Sequence, residues 1–85
     1  MLEKAKKIVA KYIINNSYIY ESEYQIFVVW QCKTLQNWKF LMSTSLGDGM
    51  YYEVTYNGDK KEFYLDAYKK VENKCIKAED FEWKN

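Results

Sequence analysis

The stretch Met50 to Asp66, MYYEVTYNGDKKEFYLD, constrains the fold most: two runs of alternating apolar and polar residues flank Asn57-Gly58-Asp59. Asn, Gly and Asp accept positive φ or form Asx-type hydrogen bonds, so the stretch predicts two antiparallel strands and a tight turn. A two-residue turn at Asn57-Gly58 would set Glu53 opposite Glu62, and like charges directly opposite repel. A four-residue loop, Asn57 to Lys60, instead pairs Val54 with Phe63, Tyr52 with Leu65 and Met50 with Ala67. Registers that differ by two residues keep Met50, Tyr52, Val54, Phe63 and Leu65 together on the core face. They leave Tyr51, Glu53, Thr55, Glu62, Tyr64 and Asp66 on the other. The faces are therefore set more firmly than the register.

The segments before the hairpin extend it into a sheet. Gln25 to Cys32, QIFVVWQC, is rich in β-branched and aromatic residues, with Ile26, Val28, Trp30 and Cys32 on one face and Phe27, Val29 and Gln31 on the other. It predicts a central strand. Lys33 to Gln36 turns the chain, and Asn37 to Leu46 forms the next strand, with Trp38, Phe40, Met42 and Thr44 alternating against Lys39, Leu41 and Ser43. Gly47-Asp48-Gly49 reverses it into the hairpin, which completes a four-stranded antiparallel meander.

Leu2, Ala5, Ile8, Val9, Tyr12 and Ile13 recur at helical spacing, with Glu3, Lys4, Lys7 and Lys11 on the other side, which predicts an amphipathic helix over residues 2–15. Asn15-Asn16-Ser17 ends it. Ser17 to Glu23 is a connector whose Tyr18, Ile19 and Tyr20 either cover the core or stay mobile. After Leu65 two readings compete. Asp66 as N-cap, with Ala67, Tyr68, Val71 and Cys75 at helical spacing, predicts a short helix from about Ala67 to Cys75. Alternation of Tyr64, Asp66 and Tyr68 with Leu65 and Ala67 would instead carry the strand through Lys70. The helix is the preferred reading. Lys77 to Asn85, with Phe81 and Trp83 among charges, is a loosely held tail. The expected fold is one α+β domain over residues 1–85, its N-terminal helix packed on the meander and its C-terminal helix short.

Composition excludes several kinds of function. There is no histidine, so the commonest general base and the imidazole metal ligands are missing. Two isolated cysteines, Cys32 and Cys75, do not make a zinc site and are expected to be buried and inert. None of the three glycines opens a phosphate-binding loop. The expected protein is not an enzyme and carries no cofactor or metal. All 13 basic residues are lysines, set against 12 acidic ones, a balance that fits neither a DNA mimic nor a duplex reader with arginine forks. No apolar run is long enough to span a bilayer, and the chain opens on a basic helix in place of an apolar leader. A cytoplasmic, reducing setting is expected.

Aromatic content is unusually high: nine Tyr, four Phe and three Trp. One helix covers one face of the sheet, yet apolar or aromatic residues occupy both faces of the first two strands. The second face is covered either by the C-terminal helix and tail, through Tyr68, Val71, Phe81 and Trp83, or by a partner. Tyr and Trp dominate binding hot spots, and a self-complementary version would make a homodimer. The candidate contacts are Trp38, Tyr51, Tyr64 and Tyr68, flanked by Glu53, Glu62 and Asp66.

The run from Val28 to Ile76 resembles a family of small, largely uncharacterised proteins of phages and prophages of Gram-positive bacteria. The resemblance rests on WQCKTLQN (Trp30 to Asn37), DGMYYEVTYNGDKKE (Asp48 to Glu62) and YLDAYKK (Tyr64 to Lys70). It implies an accessory protein acting in the bacterial host cell, and it carries over no functional residue. The leading expectation is a protein that binds and antagonises a host macromolecule, such as a defence-system protein, by occlusion. A nucleotide-sequestering oligomer using Lys60, Lys61 or Lys69 for phosphates, and a single-stranded nucleic-acid binder, are the alternatives.

Overall fold

The computed structural model describes residues 1–16 and 23–81. The helix α1 (Leu2–Asn16) precedes four strands, β1 (Ile26–Thr34), β2 (Asn37–Thr44), β3 (Met50–Asn57) and β4 (Glu62–Lys69), and a 3-10 turn at Ala78–Asp80 follows. The strands pair in sequence order, β1-β2-β3-β4, each antiparallel to the next. This is the expected α+β arrangement of one helix on a four-stranded meander. The connector residues Tyr18, Ile19 and Tyr20, and Trp83 of the tail, lie outside the described residues.

The core follows from two matched periods. Ala5, Val9 and Ile13 form a stripe along α1, and Phe40, Met42, Tyr52 and Val54 project from alternate positions of β2 and β3 to meet it. Phe40, Met42, Val9 and Val54 are fully buried. Burying each such side chain stabilises the fold by about 1.5–3 kcal/mol relative to leaving it exposed. Burial also pushes the Tyr52 phenol above its ordinary pKa, with the Asp48 carboxylate adding to the effect. Asn16 Nδ2 donates to the Tyr12 carbonyl at 2.8 Å and satisfies one acceptor at the end of the helix.

The central hairpin keeps its expected faces but not its expected register. Its loop is Gly58 to Lys61, so Val54 pairs with Leu65, Tyr52 with Ala67 and Met50 with Lys69. Asn57 Oδ1 accepts from the main-chain N–H of Asp59 at 3.0 Å and of Lys60 at 3.2 Å, and Lys61 takes the positive φ of 54°. The shift of two residues sets Tyr56 opposite Phe63, with ring centroids 4.7 Å apart, a cross-strand aromatic pair that the alternative register lacks. It also sets Glu53 opposite Asp66, a like-charge pair offset by Lys39, whose Nζ lies 3.4 Å from Glu53 Oε1.

No helix forms over Ala67–Cys75. Ala67, Tyr68 and Lys69 pair with Tyr52, Tyr51 and Met50, and Lys70 N–H donates to the Gly49 carbonyl at 2.7 Å. A nine-residue helix bears the full cost of nucleation and would leave the β3 main chain unpaired along that edge, so the ladder wins. Beyond Lys70 the chain is irregular and exposed up to the 3-10 turn.

A bulge in β1 reverses the second half of that strand. Val28 pairs with Met42, but Trp30 pairs with Leu41, which leaves Val29 as the extra residue. Trp30 and Cys32 therefore fall on the face opposite Ile26 and Val28, contrary to strict alternation. Gln31 and Lys33 move to the helix side, where Lys33 Nζ sits 5.3 Å from the Trp38 ring centroid. Both cysteines are exposed where burial was expected: Cys32 lies in the half of β1 from Val29 to Thr34 that is exposed on both sides, and Cys75 lies beyond the sheet.

The two hairpin turns are tied together. Gly58 N–H donates to Asn37 Oδ1 at 2.9 Å, and Gln36 Nε2 donates to Asp59 Oδ1. A Cβ at Gly58 would collide with the Gln36 carbonyl oxygen, so glycine is required here for close approach and not for positive φ. Gly58→Ala should lower the unfolding free energy by about 1–3 kcal/mol in urea titration; an unchanged midpoint would refute the packing of these turns. In the β1–β2 turn Leu35 has a φ of 56° while its side chain is mostly exposed. Leu35→Gly should therefore raise stability by about 0.5–1 kcal/mol, since it relieves left-handed strain and loses no packing.

Candidate functional site: the open face of the sheet

α1 covers one face, and the other carries three rows of cross-strand neighbours. The first row is Phe27, Ser43, Tyr51 and Tyr68; the second is Trp30, Leu41, Glu53 and Asp66; the third is Cys32, Lys39, Thr55 and Tyr64. Trp30 is 53 % and Tyr68 50 % exposed, and Phe27, Val29 and Tyr64 are close behind. The bulge helps to concentrate them, because it brings Trp30 to the side of Phe27.

Six of the seven residues singled out in the sequence come together here: Tyr51, Glu53, Glu62, Tyr64, Asp66 and Tyr68. Trp38 does not. It lies on the helix side, stacked on Phe40 with centroids 5.5 Å apart and planes 6° from parallel. Trp30 takes the place expected for it on the open face, and strict period-two reading misses it because a bulge leaves no mark in the order of residue types. The expected intramolecular cover does not form among the described residues: Tyr68, Val71 and Phe81 are all exposed.

The charges of the face are partly paired. Lys39 meets Glu53, and the Tyr64 hydroxyl donates to Glu62 Oε2, a bond that holds the Tyr64 phenol above its ordinary pKa. Asp66 keeps the face acidic between its two tyrosines. Trp30, Cys32, Lys39 and Thr55, with Thr34, Asn37 and the edge of Trp38 near the turn, line a shallow depression of about 240 Å³ whose walls are mainly apolar. A depression of about 290 Å³ beside Glu3, Lys6 and Lys7 lies at the junction of helix and sheet and holds none of the face residues. The open face offers aromatic planes, hydroxyls and a few carboxylates, which is the chemistry of contact and stacking.

A model of a protein family matches residues 2–78, from α1 through the sheet to the start of the 3-10 turn. The chain belongs to the family of unknown function DUF6275. No curated protein and no solved structure matches it. The DUF6275 match takes in the helix, the whole open face and the segment beyond β4, so these parts belong to one family unit. Among the described residues, no helix is long and apolar enough to cross a membrane.

The Tyr64–Glu62 bond makes this DUF6275 face testable by titration. Glu62→Gln removes the charged acceptor, so the Tyr64 phenol should ionise at lower pH, closer to the usual value of about 10. NMR of the Tyr64 ring carbons across the alkaline range reads the shift directly; an unmoved titration would show that Glu62 does not hold the proton.

Proposed function

We propose that this DUF6275 protein is a non-enzymatic binding protein that occludes a host macromolecule with the open face of its sheet. The single observation that carries the reading is an aromatic face, built from Phe27, Trp30, Tyr51, Tyr64 and Tyr68, with no cover among the described residues. Contiguous apolar surface of this kind marks interaction sites, and Tyr and Trp give large contact area at low entropic cost. The absence of histidine from the sequence supports contact over acid–base chemistry. The resemblance of the Trp30–Asn37, Asp48–Glu62 and Tyr64–Lys70 blocks to phage and prophage proteins supplies the context: an accessory protein acting in a Gram-positive host cell, with a defence-system protein as the favoured target class.

Affinity capture from host lysate tests the reading. The wild-type chain should retain a host protein that the Tyr51→Ala and Tyr64→Ala double variant loses by roughly tenfold or more, the size expected when hot-spot side chains are removed. Lys4→Ala and Lys11→Ala on the outer side of α1 should leave capture unchanged. Equal capture by the tyrosine variant, at unchanged melting temperature, would rule out the open face as the contact.

A further inference from the structure

Beyond Lys69 the chain leaves the sheet as an arm, Lys70 to Lys77, and every residue of that arm is exposed. Val71 is 95 % and Ile76 69 % exposed. Among the described residues, Val71 to Ile76 make no main-chain hydrogen bond to another element. Single exposed apolar residues are ordinary on protein surfaces. Here they sit on one arm of a chain whose sheet also has an uncovered aromatic face. The arm does not fold back onto its own face, and no glycine or proline lies between Lys70 and Phe81 to reverse it.

We propose that the open face is occupied by the arm of a second copy, so that in a two-fold dimer each arm crosses the other copy's Phe27, Trp30, Tyr64 and Tyr68. Three observations favour this occupant. The first is reach: Val71 and the Cys75-Ile76 pair lie roughly 13–16 Å apart in extended chain, against about 14 Å from β4 to β1 across three strand spacings. One arm thus sets an apolar contact over the β4 tyrosines and another over Phe27 and Trp30.

The second is charge. The face carries Glu53, Glu62 and Asp66 against Lys39, whereas the arm carries Lys70, Lys74 and Lys77 against Glu72. The two surfaces have opposite excess. The third is area. Half-exposed aromatics leave about 100 Å² each, so face and arm together offer roughly 800 Å² per copy and roughly 1,600 Å² in a symmetric pair, the size of a standard specific interface. A two-fold arrangement uses each face and each arm once and closes, which prevents open-ended assembly.

The proposal rests on the open face being a contact surface and adds its resident occupant, with which a host macromolecule would compete. Sedimentation of the full chain alone tests it, without any host component. The wild-type chain should be dimeric at about 100 μM, and the Val71→Asp, Ile76→Asp double variant should weaken the dimer by roughly tenfold or more. The Trp30→Ala, Tyr68→Ala double variant should do the same from the other side of the contact. The arm variant changes only exposed residues, so at concentrations where both chains are monomeric its melting temperature should match wild type.

A benzophenone side chain placed at position 71, in a mixture of isotopically light and heavy copies, gives a second readout. It should cross-link between copies to peptides containing Phe27–Trp30 or Tyr64–Tyr68. A wild-type monomer at the highest concentration, a dimer indifferent to the arm variant, or cross-links confined to other surfaces would each overturn the proposal. Dimerisation without host capture would remove only the occlusion reading, and host capture by a monomer would remove only the exchanged arm.

Discussion

One helix can cover one face of a sheet, and the packing of Ala5, Val9 and Ile13 onto Phe40, Met42, Tyr52 and Val54 decides which face that is. The rest of the molecule takes its meaning from this contact. The core is drawn from side chains on the side of Phe40 and Val54, and those on the other side are left to water or to a partner. A domain of 85 residues buries too little surface to be indifferent to such a division. With one helix and one sheet it has two layers, and the shortest dimension of its Cα trace is 16 Å.

Much of this was legible in the residue order. The helix declares itself by its 3.6-residue period, and β2, β3 and β4 as far as Asp66 by an alternation that assigns their side chains to the observed faces. Tyr51, Glu53, Glu62, Tyr64 and Asp66 share the open face for that reason. Three features were hidden. The bulge at Val29 leaves no compositional trace, so strict alternation puts Trp30 on the same face as Ile26 and Val28. The register of the central hairpin is set by Asn57 capping its own loop and by Tyr56 meeting Phe63, effects that an argument from charge repulsion alone underweights. The strand over Ala67–Lys69 wins because β3 offers it a waiting ladder, a non-local reward that local helix spacing cannot register.

The aromatic surplus also divides physically. Tyr52, with Tyr12 edge-on at 5.8 Å, and the Trp38–Phe40 stack supply area to the helix side. Phe27, Trp30, Tyr64 and Tyr68, with the half-buried Tyr51 among them, supply area that no other described residue covers. A small protein that needed aromatics only for stability would gain little from the second set. Their solubilising neighbours, Lys39, Glu53, Glu62 and Asp66, are interleaved closely enough that the face is amphipathic and not greasy.

The bulge has a further effect at the border of the sheet. β1, expected from its composition as a central strand, is an edge strand, and an edge strand with regular spacing is a template on which another chain can polymerise. By adding a residue at Val29, the bulge breaks that spacing and increases local twist, so an incoming strand would fall out of step after a few residues. β4, at the opposite border, has no bulge and instead carries Glu62, Asp66 and Lys69. The two borders are thus guarded by different means, one by geometry and one by charge, and the sheet can keep an aromatic face without becoming a seed for fibrils.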